Sequence, residues 1–138
     1  MYWQNYLNGS IFPFGRALRI SDVTSETVNF IDQDGNEFIL YWKSPSSKHF
    51  EDEFSKYFTF ENPEEDLKKI KEEDFKKIAI GHVERGMEKK LVLISWGYPP
   101  EMNDPLEKNI WKYWTTKDYG CTLYFDEKND VLVHIEKP

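Results

Sequence analysis

Positive charge is scarce in this sequence: 18 Lys and Arg stand against 25 Asp and Glu, a formal net charge of −7. The acidic excess runs through every third of the chain, so no stretch is basic enough to track a phosphate backbone. Nucleic acid is therefore not an expected partner, and neither is an anionic membrane surface. Cysteine is nearly absent. Cys121 stands alone, so no internal disulfide can form and the redox compartment is not written in the composition. With Leu123 and Phe125 beside it on an alternating stretch, Cys121 reads as a small buried hydrophobe. No charged neighbour is legible that would activate it as a nucleophile. Long apolar runs are missing too: nowhere do eighteen such residues stand in a row, so no transmembrane helix is expected. The opening Met1-Tyr2-Trp3-Gln4-Asn5 lacks the basic and apolar regions of a signal peptide.

The residues that carry chemistry are equally thin. His49, His82 and His134 share no metal-ligand spacing, and no metal site is expected. Asp32-Gln33-Asp34-Gly35-Asn36-Glu37 has a superficial likeness to a calcium loop. Placing Gly35 at the invariant glycine would put Phe30 at the first ligand position, where an oxygen is required, so a hairpin turn is the better reading. There is no glycine-rich phosphate loop and no nucleophile elbow, and Ser95 falls inside a helical stretch before Trp96. The acidic groups Glu64-Glu65-Asp66 and Glu72-Glu73-Asp74 sit at helix starts, where they complement the dipole without any catalytic role. No catalytic residue and no cofactor is assigned, and the chain is not expected to be an enzyme.

Aromatic residues, by contrast, are abundant. Ten Phe, eight Tyr and five Trp make up 17% of the chain, enough to build both a core and an interface. The first 45 residues read as β. A run at Ala17–Ile20 is followed by Thr27–Ile31, the turn Asp32–Gly35 and a returning strand Phe38–Trp42. This is a small meander, compatible with an SH3-like barrel. Residues 46–71 read as a helical connector. Ser46 or Ser47 caps a helix with Phe50, Phe54, Tyr57 and Phe58 at helical spacing. Asn62-Pro63 then starts a Glu- and Lys-rich helix with Leu67, Ile70 and Phe75 as its sparse apolar side.

Residues 72–138 read as two helices, near 72–80 and 88–96, followed by three strands. Gly81 and Gly97 close the helices, and Pro99-Pro100 forbids continuation of the second. The strands are expected at Ile110–Thr115, Cys121–Asp126 and Val131–Glu136. Alternation puts Cys121, Leu123, Phe125, Val131, Val133 and Ile135 on the helix-covered face, and Thr122, Tyr124, Leu132 and His134 on the other. The fold class is α+β: a β meander, then an α-α-β-β-β domain with its helices on one face of an antiparallel sheet. The strand Ile110–Thr115 carries aromatics on both faces, Trp111 and Tyr113 on one and Trp114 on the other. One set needs a cover other than the helices. The candidates are Trp42 or the Trp3–Tyr6 segment, or else another protein.

The run Gly86-Met87-Glu88 … Ser95-Trp96-Gly97-Tyr98-Pro99 … Trp111-Lys112-Tyr113-Trp114 … Leu123-Tyr124-Phe125 … Val131 resembles the small outer-membrane lipoproteins of the SmpA/OmlA (BamE) type. That family's α-α-β-β-β fold is shared with β-lactamase inhibitor protein. The front half, with Asn5-Tyr6-Leu7, Phe12-Pro13, Val28-Asn29-Phe30 and Asp34-Gly35, looks like the β-rich module that precedes this unit in some bacterial lipoproteins of unknown function. The resemblance implies a Gram-negative envelope protein on the periplasmic side. The chain has no lipobox, so a lipid anchor requires a longer precursor, and with Met1 as the natural start the expectation becomes cytoplasmic. No catalytic residue is carried over.

The expected function is therefore non-catalytic binding or scaffolding through contacts with another protein or a second copy of this chain. Tyr98, Met102, Trp111, Tyr113, Trp114 and Tyr124 are the candidate contact residues. The alternative is a small-molecule or carbohydrate binder that uses the same aromatics.

Overall fold

A computed structural model describes residues 14–41, 50–100, 102–114 and 119–137. Expectations that rest on Trp3–Tyr6, Trp42, Ser46 and Ser47 lie outside them. The described residues form a mixed α and β protein with two three-stranded antiparallel sheets and four α-helices. From Gly15 onward they divide into two compact units between Pro63 and Glu64. The helix at residues 50–55 clusters with the first sheet.

In the first unit, β1 (Leu18–Val23), β2 (Thr27–Asp32) and β3 (Glu37–Tyr41) pair in sequence order. The strand expected to end at Ile20 runs on to Val23, with a register shift between Ile20 and Asp22. β2 alternates strictly, with Val28, Phe30 and Asp32 buried. α1 (Phe50–Ser55) lays Phe54 on that face, where it meets Val28, Phe30 and Leu40. Phe50, Phe54, Phe58 and Phe30 form a run of ring contacts, with Phe54 and Phe58 centroids 4.6 Å apart and Phe30 and Phe58 5.0 Å apart. The i, i+4 spacing of Phe50, Phe54 and Phe58 is what brings these rings into line.

Asp32 ends β2 and organises the hairpin. Its carboxylate accepts the backbone N–H of Asp34 at 2.9 Å and of Asn36 at 2.8 Å, and the Asn36 side-chain amide at 3.0 Å. Gly35 takes the left-handed conformation there, at φ 82°, which a side chain would oppose. Among the described residues, the carboxylate's near partners belong to its own turn or to Arg16 at 3.6 Å. The likeness to a calcium loop is thus resolved as a turn that folds around its own aspartate.

The second unit contains α2 (Glu64–Lys68), α3 (Glu72–Ala79), α4 (Lys89–Trp96), a 3-10 turn at Pro105–Glu107, and the sheet β4 (Ile110–Trp114), β5 (Gly120–Phe125) and β6 (Leu132–Glu136). The helix expected to run on from Pro63 is broken around Lys69–Lys71, and Ile70 packs on the core instead of continuing a solvated rod. Ile78 from α3 and Val92 from α4 meet Trp111, Tyr113, Cys121, Leu123, Phe125 and Leu132 from the sheet in one buried cluster.

β6 departs from simple alternation. Leu123 pairs with Ile135 and Tyr124 with His134, but Phe125 pairs with Leu132, which leaves Val133 as an extra residue. This bulge shifts the phase by one. Leu132 becomes buried core and Val133 is exposed, the reverse of what alternation from Val131 predicts.

Candidate functional site

The candidate site is the face of the β4–β5–β6 sheet opposite the core. Three cross-strand rows define it. Ile110, Tyr124 and His134 form the first; Lys112, Thr122 and Glu136 the second; Trp114 and Gly120 the third. Period-two alternation puts all of them on one side. Ile110 is 58% exposed, Lys112, His134 and Glu136 are exposed, and Trp114, Thr122 and Tyr124 are half-buried.

Side chains on this face order one another. The Lys112 ammonium lies 4.5 Å from the centroid of the Trp114 ring, a cation–π contact. Both cross Gly120, where an added Cβ would come within 3.3 Å of Lys112 Cε and 3.6 Å of Trp114 Cε3. A glycine opposite Trp114 therefore lets the pair lie low on the sheet. The Tyr124 hydroxyl donates to Glu136 at 2.8 Å, which holds its pKa above the ordinary 10.0. Its ring contacts His134 with centroids 5.6 Å apart. The result is a fixed layer of aromatic and apolar surface with one cation and one anion at its margins.

The six residues named from sequence separate. Trp111 and Tyr113 are 0% exposed, which takes them out of any contact surface. Trp111 Nε1 donates to the carbonyls of Pro105 and Lys108, at 2.8 and 2.9 Å. The Tyr113 hydroxyl donates to Gly97 at 2.7 Å. These large rings could enter the core because their polar heads find backbone acceptors there. Met102 packs against the same core and Tyr98 is half-buried after α4. Of the six, Trp114 and Tyr124 remain on the outer face, joined by Ile110, Lys112, His134 and Glu136, which sequence reasoning did not select. The alternation 110, 112, 114 was the available signal, but it identified the pairing without saying which set the helices would cover.

Lys89, Glu84 and Lys77, elsewhere in this unit, are committed to structure. Lys89 is 3% exposed. Its ammonium donates to Leu106 O at 3.0 Å and to Asn109 Oδ1 at 2.8 Å, and pairs with Asp130 at 2.8 Å. Nothing in its Lys-rich context marks it as buried. Glu84 joins Lys77 on one side and His82 at 3.0 Å on the other, and these contacts hold its carboxyl below the ordinary 4.5. The same bond to Glu84 raises Lys77 above its ordinary 10.5. Burial pushes the Cys121 thiol up from 9.0, which opposes formation of the thiolate a nucleophile needs. Among the described residues, no three His, Cys, Asp or Glu side chains gather as a metal would require. No helix among them is long and apolar enough to cross a membrane. No protein-family model, curated protein or solved structure matches this chain.

Proposed function

We propose that this chain is a non-catalytic binding or scaffolding protein whose C-terminal unit engages another protein through the outer face of β4, β5 and β6. The observation that carries this reading is the two-sided use of aromatics on one short strand. Trp111 and Tyr113 close the core, yet Trp114, Tyr124 and the 58% exposed Ile110 spend apolar area on the opposite side. Interfaces are enriched in Trp and Tyr, and fixed aromatic rings lose little entropy when a partner covers them. The layer suits a protein better than a sugar. Lys112 occupies a face of the Trp114 ring on which a sugar would stack.

The order of two longer helices and three antiparallel strands over residues 72–136 supports the proposed likeness to the BamE type and to β-lactamase inhibitor protein. A periplasmic, envelope-associated location follows from that likeness and is proposed with it.

A photoreactive phenylalanine analogue at Thr122 tests the contact face, with the same analogue at exposed Glu51 on α1 as control. The expected result is a protein adduct from position 122 and not from 51. Purified with that partner, Trp114→Ala should lose about tenfold to a hundredfold in affinity while remaining folded. Equal adducts at both positions, or unchanged affinity, would contradict the assignment.

A further inference from the structure

The outer face has a charge order that suits one occupant in particular. Its middle row reads Lys112, Thr122, Glu136 across β4, β5 and β6: cation, neutral, anion. Both charged side chains are exposed. Consider two such faces related by a two-fold axis that lies between them and runs along β5. The operation keeps each row at its level and reverses its order. Lys112 then stands over the partner's Glu136, and Glu136 over the partner's Lys112. Ile110 falls opposite the partner's His134, and Tyr124 opposite the partner's Tyr124. Every charge on the row meets its opposite, as an isologous contact requires.

We propose that the outer face of this sheet binds a second copy of the chain, face to face about a two-fold axis along β5. The proposal rests on the reading of this face as a contact surface and names its partner. A chain of net charge −7 would ordinarily select a basic partner, but this face is itself balanced, and balance of this order is complementary to its own copy. Two aligned sheets also pack in this way when their inner faces carry aromatic and apolar side chains. Three rows, the third carried by β4 and β5 alone, span at most about 14 by 20 Å. That is less than a standard interface, so the dimer is a weak one.

Sedimentation velocity of the full chain from about 10 µM to 1 mM reads the association directly. The wild type should shift from monomer to dimer across the series. Lys112→Glu and Glu136→Lys alone should each weaken association by about tenfold or more, because each sets like charges together twice in the dimer. The double variant Lys112→Glu/Glu136→Lys should restore it, and serves as the control that both reversals are tolerated by the fold. A chain that stays monomeric to about 1 mM overturns the proposal, whatever else covers the face. A dimer indifferent to both single reversals overturns it as well. Either failure leaves binding of a different protein to be judged by the adduct at Thr122, so the two readings fail separately.

Discussion

Asp32 shows how a single residue can settle a local structure whose sequence has a superficial likeness to a metal loop. Its carboxylate is held below the ordinary 3.8, chiefly by the Asn36 side chain, with the backbone N–H groups of Asn36 and Asp34 and the Arg16 charge adding to it against the opposing effect of burial. A carboxyl with a lowered folded pKa favours the folded state when it is ionised. Its contribution is complete above 3.8 and is lost as pH falls through the lower folded value. Asp32→Asn is accordingly expected to lower the urea midpoint at neutral pH, with the gap from wild type closing well below pH 3.8. Urea titrations of both proteins at the two pH values check this. A gap that persists unchanged in acid would show that the carboxylate charge is not what holds the turn.

The elements divide into those legible in the sequence and those that depended on packing. The three C-terminal strands, α4 and the hairpin around Gly35 follow from alternation and turn chemistry, and each lies within a residue or so of its expected position. The bulge at Val133 does not. Val131, Val133 and Ile135 alternate well, and only the pairing of Phe125 with Leu132 reveals the slipped phase. The faces of β4 were likewise undecidable locally, since Trp111, Tyr113 and Trp114 are all suited to a core. Lys89 was hidden for another reason. A lysine among lysines reads as solvated, and its burial depends on Leu106, Asn109 and Asp130, which lie 17 or more residues away. It ties the start of α4 to the loop before β4 and to the β5–β6 turn. Lys89→Ala should cost about 1–3 kcal/mol, because it removes a buried stem together with the polar contacts its ammonium makes to Leu106, Asn109 and Asp130. Lys89→Met should cost less, since the methylene stem stays packed. Thermal melts of the two variants rank them, and equal melting of both with wild type would mean that the ammonium contributes nothing.

At the scale of the whole molecule, two separate cores are joined through a polar stretch. Residues 59–74 carry few buried side chains, and Phe60 within them is 87% exposed. Limited proteolysis should cut there first, and a first cut within 120–136 would contradict the division. The functional account depends on a different division, the one across the thickness of the second sheet. If one face is core and the other is a contact surface, the two tryptophans of β4 must behave oppositely when truncated. Guanidinium denaturation of Trp111→Ala and Trp114→Ala at low protein concentration, where association is negligible, makes that comparison. Trp111→Ala should lose about 3–5 kcal/mol of stability, whereas Trp114→Ala should lose about 1 kcal/mol or less and keep the wild-type fold. Severe destabilisation by both would place Trp114 in the monomer's own core and contradict the outer face as a binding surface.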